Sequence, residues 1–216
     1  MSASPAAPLR PPDRPGIAEL PRFRPTRRLE RSPHLDRLLT AARRVGEAFP
    51  ELAGREVRLD LLSSASRYRG LTFPLERPPR VAVRPHTRTP LALHATLAHE
   101  FVHLLQPPHG TIPGGERSCD LYALARVGSR FPHPPAYLRL PRGLAREWAG
   151  WAARAEILAQ ESLRRREAGE RRYIVEWERR LGEEFRGRRD EGGQGRPGGQ
   201  GGSDGVPEHR SMARES

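Results

Sequence analysis

Residues 96–106 constrain the fold of this chain more than any other stretch. They read Thr-Leu-Ala-His-Glu-Phe-Val-His-Leu-Leu-Gln, which places His-Glu-x-x-His inside an apolar run. Leu97, Phe101, Leu104 and Leu105 make the run apolar on most sides, so it predicts a central, buried helix. Two imidazoles and a carboxylate in such a helix are costly unless a partner satisfies them. The stretch therefore predicts a site as well as a helix.

The spacing of the two histidines indicates a metal site. On a helix, His99 and His103 lie one turn apart on the same face and can direct two ring nitrogens at one ion. Glu100 lies beside the first, where its carboxylate could reach a water on that ion, as in zinc hydrolases. The alternative is a buried helix with two incidental histidines, but roughly 0.03 such patterns are expected by chance. We favour the metal interpretation.

A catalytic zinc site needs a third protein ligand and one open position, and two residues compete for that role. Glu116 follows His103 by 13 residues, and Asp120 lies one helical turn further, where it could orient a ligand histidine. His109 would complete a three-histidine pattern, but Gln106 stands where the metzincin version of that pattern has glycine. We favour Glu116, although an acidic residue at a helix N-terminus is also stabilised by the helix dipole alone.

Several further residues have weaker signals. Cys119, the one cysteine, is interpreted as a small core residue, and a single cysteine excludes an intramolecular disulfide framework. Hydrolysis also needs an oxyanion stabiliser, for which three residues are unranked candidates: Tyr122, Tyr137 and His133. The remaining histidines considered, His86 and His94, are interpreted as ordinary surface or loop residues.

The hydrophobic pattern predicts an α+β fold. Strands are predicted at residues 55–62, 68–73 and 80–84. The last is flanked by prolines on both sides, which suits a short edge strand. Helices are predicted at residues 33–50 and 90–106, from about residue 114, and from about residue 141, with a break near Gly169. We expect a small sheet with an edge strand next to the motif helix, followed by further helices.

Composition predicts one domain with tails. The chain has 216 residues, of which 21 are glycine and 23 proline, so disordered ends are expected. We interpret residues 1–33 as a disordered Pro/Arg-rich arm, residues 34–187 as the folded domain, and residues 188–216 as a disordered Gly/Arg-rich tail.

The net charge of +12 comes from arginine alone, because the chain has no lysine. The three regions 1–33, 34–140 and 141–216 carry +4, +6 and +2, so the excess is spread out. A solvated arginine-rich surface is therefore favoured over a dedicated nucleic-acid site. No apolar run has membrane-spanning length and no signal-peptide core is present, so we expect no membrane partner and a cytoplasmic location.

The motifs at residues 99–103 and 116–120, His-Glu-Phe-Val-His and Glu-Arg-Ser-Cys-Asp, resemble those of gluzincin metallopeptidases. They are most similar to the compact minigluzincin and ImmA/IrrE-like forms, in which alanine usually stands at the Cys119 position. The resemblance implies a zincin-like fold and Zn²⁺ held by His99, His103 and Glu116. It also implies Glu100 as general base and Asp120 as orienting residue, acting on a protein or peptide substrate.

Two other functions stay open at this point. In ImmA/IrrE-like systems the partner is typically a transcriptional regulator, so a regulatory protein that keeps the peptidase fold is one alternative. SprT-like proteases of protein–DNA crosslinks share the order of strands and motif helix, so a nucleic-acid-associated protease is another. The arginine-rich arm and tail would then bind DNA in a salt-dependent manner.

Overall fold

The computed structural model describes residues 20–84, 89–108 and 110–193. Within these ranges the chain forms a four-stranded mixed sheet and six helices. The predicted α+β class is confirmed. None of the helices in these ranges combines the length and apolar character that crossing a membrane requires.

The sheet contains three parallel strands and one antiparallel strand. The strands are β1 (Arg22–Pro25), β2 (Glu56–Leu61), β3 (Gly70–Phe73) and β4 (Arg80–Val83). They lie in the order β1-β2-β4-β3, and β3 runs antiparallel to β4. β2 keeps the predicted alternation, with its buried side chains packed in the core: Val57, Leu59 and Leu61.

The prediction that residues 80–84 form the edge strand is wrong. β4 lies between β2 and β3, with Arg80 opposite Phe73 and Val83 opposite Gly70. Its last three residues are all buried, as is typical of an internal strand covered on both faces. The flanking prolines end the strand instead of protecting an open edge. An edge strand does lie next to the motif helix, but it is β3.

The structure also differs from the predicted arm at residues 1–33. β1 pairs in parallel with β2, and a short helix α1 (Arg27–Glu30) follows it. Leu29 is fully buried, and its N–H donates to the Thr26 hydroxyl that caps α1. Such short elements show no sustained apolar period. The prediction of a disordered arm was therefore based on the Pro- and Arg-rich composition alone. Residues 1–19 lie outside the described residues.

Five longer helices build the rest of the domain. They are α2 (Leu35–Gly46), α3 (Pro90–His103), α4 (Glu116–Val127), α5 (Leu144–Glu167) and α6 (Tyr173–Gly193). The Thr89 hydroxyl accepts from the Ala92 N–H and Pro90 follows, so a cap and a first-turn proline begin α3 at residue 90, where the helix was predicted to start. Gly169 has φ +100° between α5 and α6, as the predicted break requires. α6 continues past residue 188, where the tail was predicted to begin, and residues 194–216 lie outside the described ranges.

The motif helix α3 lies at the centre of this arrangement. It packs against α2, α4, β3 and β4. Leu97, Ala98 and Phe101 are fully buried on it. The last two helices add tryptophans to the core. Trp148 and Trp177 are buried, and their indole N–H groups donate to the backbone oxygens of Phe131 and Ala155. Buried surroundings on several sides therefore fix the backbone that carries His99 and His103.

We expect Leu29→Ala to lower the free energy of unfolding by about 2–5 kcal/mol, because it leaves a cavity where a fully buried side chain had been. Leu75→Ala is the matched control, since Leu75 is 73% exposed; its effect should stay within about 0.5 kcal/mol. Urea unfolding followed by circular dichroism measures both. Equal effects of the two substitutions would contradict the place of α1 in the core.

Candidate metal centre

The end of α3 and the start of α4 bring the predicted ligand residues together. The ring centroids of His99 and His103 lie 5.0 Å apart. Glu116 is the first residue of α4, and its Oε2 lies 2.9 Å from His99 Nε2 and 3.6 Å from His103 Nε2. The structure thus places the Glu116 carboxylate within reach of both imidazole rings.

Asp120 is hydrogen-bonded to His99. Its Oδ1 lies 2.8 Å from His99 Nδ1, and its Oδ2 accepts the Tyr137 N–H at 2.7 Å. Because an ionised carboxylate only accepts hydrogen bonds, the contact with Asp120 places a hydrogen on His99 Nδ1, and the 2.9 Å contact with Glu116 places one on Nε2. A metal ion at Nε2 would replace the second hydrogen while Asp120 kept the first. Asp120 thus contacts the outer nitrogen of His99, and its orienting role stays a prediction.

Gln106 holds the other ring. Its Oε1 lies 2.9 Å from His103 Nδ1, and the residue is buried. Sequence reasoning treated Gln106 only as a departure from the metzincin glycine and missed this contact. The available signal was its position three residues after His103, at the spacing of neighbours on a helix surface.

The site attracts positive charge. His99 Nε2 and His103 Nε2 lie near Glu116 Oε2, so a proton or a metal cation beside this carboxylate is favoured. Burial acts to lower the pKa of His99, but the hydrogen bond to Asp120 and the nearby carboxylates outweigh it, and the pKa is raised. The surrounding charges therefore stabilise a cation at His99.

Glu116 lies close enough to both rings to share a metal ion with them, because its Oε2 is 2.9 Å and 3.6 Å from their Nε2 atoms. Two histidines and one carboxylate are a donor set that metal sites use.

Cys119 offers a second donor next to the same histidines. Its sulfur lies 3.3 Å from His103 Nδ1 and 3.6 Å from Nε2. Ligand atoms of His99, His103 and Cys119 lie within 4.8 Å of one another, so this group could hold a metal ion. The residue is fully buried, as the core interpretation requires, and burial raises the pKa of its thiol. What the sequence did not indicate is its contact with His103.

Glu100 is held against the edge strand. Its side chain is buried, and its Oε2 accepts the Thr72 hydroxyl at 2.7 Å. Burial raises its pKa, and the hydrogen bond from Thr72 opposes that effect. A Cβ on Gly70 would lie 2.4 Å from Glu100 Oε1, so the carboxylate fits only because Gly70 has no side chain. The sequence predicted a strand at residues 68–73 but not this contact.

Of the three oxyanion candidates, Tyr137 is the one in contact with a predicted ligand. Its ring stacks on His99 with centroids 5.9 Å apart, and its side chain is exposed. Tyr122 is buried under the guanidinium of Arg126. His133 is exposed in the segment between α4 and α5. The geometry therefore favours Tyr137 over Tyr122 and His133, which the sequence left unranked.

Three other histidines have different outcomes. His109, the alternative third ligand, and His86 lie outside the described residues. His94 was expected at the surface or in a loop, but it is buried in α3, where burial lowers its pKa. Burial, together with the nearby Arg130 and Arg44, disfavours a charge on the ring.

No family profile, curated protein or solved structure matches this chain. The resemblance to gluzincins therefore stays a prediction from two motifs. The support for a function comes from the contacts among His99, His103 and Glu116.

We expect the purified protein to bind about one zinc ion per chain, as one three-ligand site would. Glu116→Ala and His103→Ala should each lose it, because each removes a donor atom at the convergence point. His109→Ala should retain it. Asp120→Asn should weaken binding by roughly 10–100-fold, the usual effect of losing an orienting partner. Isothermal titration with Zn²⁺ measures all four variants.

Cys119→Ala distinguishes the two donor sets. If Glu116 is the third ligand, this variant keeps its zinc. Zinc that is lost in Cys119→Ala and kept in Glu116→Ala would assign the site to the sulfur donor. Zinc that is lost in His109→Ala and kept in Glu116→Ala would favour a metzincin-like site.

Proposed function

We propose that this protein is a zinc-dependent peptidase of the gluzincin type. The observation that carries the proposal is the convergence of His99, His103 and Glu116, with the buried carboxylate of Glu100 on the same turn of α3 as the first histidine. The Asp120 carboxylate holds the His99 ring through a charge-assisted hydrogen bond, and the nearby carboxylates favour a cation. That combination of donors and base is the one that metal-assisted hydrolysis requires.

The chain's own residues supply the proton transfers. Zinc, when bound, would polarise the scissile carbonyl and acidify a water molecule at the site. Glu100 accepts a proton from that water while the water oxygen bonds to the carbonyl carbon, and it returns the proton to the leaving nitrogen as the C–N bond breaks. The Thr72 hydroxyl fixes one carboxylate oxygen of Glu100, which restricts the direction in which the proton is exchanged.

The edge strand β3 is suited to holding an extended substrate. The Arg84 N–H donates to Arg69 O at 2.8 Å, and the antiparallel ladder continues from that pair with alternating residues. Gly70 and Thr72 therefore direct their backbone groups away from β4, towards the edge that no other described strand covers. A peptide added at this edge would run beside Glu100. β3 is therefore the proposed substrate strand.

Tyr137 is the proposed oxyanion stabiliser. Its exposed ring lies on His99, at the opening of the site. Burial and the nearby carboxylates of Glu116 and Asp120 raise the pKa of its hydroxyl. The hydroxyl is therefore protonated at neutral pH and is available to donate to a carbonyl oxygen as negative charge develops there.

We expect Glu100→Gln to bind zinc like the wild type and to lose peptidase turnover, because an amide cannot accept the proton from water. New protein N-termini can be compared by mass spectrometry in cell extracts incubated with each zinc-loaded protein. Glu51→Gln is the matched control, because Glu51 pairs with Arg126 outside the site.

Two outcomes of this experiment would contradict the proposal. Equal cleavage by wild type and Glu100→Gln would exclude Glu100 as the base. A wild type that binds zinc but produces no more new termini than Glu100→Gln would favour a binding or regulatory protein over a peptidase.

A further inference from the structure

We infer that Gln106 is a positioning residue that couples the two sides of the proposed metal centre. Through one side chain it selects the nitrogen that His103 presents to the metal and holds the chain that leads into Glu116. The inference rests on the proposed function, and it goes beyond it by assigning a role to a residue outside the motifs.

The hydrogen-bond partners fix the orientation of the amide. Its Nε2 lies 2.8 Å from Pro113 O and 3.2 Å from Gly115 O. Carbonyl oxygens only accept, so the NH₂ group must face them, and Oε1 must face His103 Nδ1 at 2.9 Å. That oxygen accepts, so His103 Nδ1 carries the hydrogen and Nε2 presents its lone pair to the metal.

The same amide acts on the other ligand through the backbone. Gly115 precedes Glu116 directly and has φ +99°, a conformation that favours glycine. The hydrogen bond to Gly115 O therefore adds to those from the Ser118 and Cys119 N–H groups, which hold the same carbonyl at the turn into α4. Because Gln106 is buried, losing its amide would leave Pro113 O and the His103 N–H without their present partner.

A neutral amide also suits the charge of the site. Asp120 already provides a carboxylate for His99, and Glu100 and Glu116 add two more near the same point. A fourth carboxylate at residue 106 would add repulsion, whereas the amide oxygen orients His103 without charge. Cys119 Sγ lies 3.3 Å from the same nitrogen, but a thiol is a weak acceptor and cannot replace the amide oxygen.

The test is Gln106→Leu, which keeps a similar size and removes both the acceptor and the donors. We expect the zinc dissociation constant to rise roughly 10–100-fold, the usual effect of losing such a partner. Long-range ¹H–¹⁵N NMR of the metal-free protein should show His103 with hydrogen on Nδ1 in the wild type and a mixture of tautomers in the variant.

Gln160→Leu is the matched control, because Gln160 also donates to a backbone oxygen, that of Ala125, but away from the site. It should change neither the tautomer nor the zinc affinity. An unchanged His103 tautomer in Gln106→Leu would overturn the inference, even if zinc binding weakened through the backbone alone.

The wild-type spectrum covers the case in which Gln106→Leu does not fold. A metal-free wild type with the His103 hydrogen on Nε2 instead of Nδ1 would equally overturn the inference. The NMR readout needs neither substrate nor zinc. A wild type without peptidase activity would therefore refute the proposed function while leaving this inference to be decided separately.

Discussion

The structure depends on one electrostatic constraint, the placing of the Glu116 carboxylate against the ring nitrogens of His99 and His103. Two lone pairs that face each other repel, so a proton or a metal cation must lie between ring and carboxylate. Two further side chains, Asp120 and Gln106, bind the outer nitrogens of the rings and leave the inner nitrogens facing Glu116. The buried α3 helix is tolerable because each polar group on its functional face has a partner.

The sheet and helices position this group in complementary ways. α3 packs between α2 and α4 and against β3, so its histidines cannot shift without disturbing the core. β3 supplies Thr72 as a hydrogen-bond donor and Gly70 as an open space for the same carboxylate. An edge strand and a base are thereby held in contact, which places an added peptide beside the group proposed to activate water.

Local sequence signals predicted the local parts of this design. The hydrophobic pattern predicted α3 and β2, and the four-residue spacing predicted that two histidines share one face of α3. Pairing across the sheet was not predictable, because the edge position of β3 depends on contacts between distant residues. The contacts of Gln106 and of Cys119 with His103 were missed for a related reason. They depend on how the chain between α3 and α4 turns, and no periodicity encodes that turn.

The two possible third donors differ in whether a metal bound to them would stay accessible to solvent. The side chain of Glu116 is 46% exposed, so a metal bound there keeps a side towards solvent and substrate. Cys119 is fully buried on the inner side of α4, and a metal drawn to its sulfur would move away from that opening. Sulfur donors are typical of closed structural sites, whereas hydrolysis needs an open position. Access for substrate therefore favours Glu116, and the buried thiol is better placed to pack under the site than to complete it.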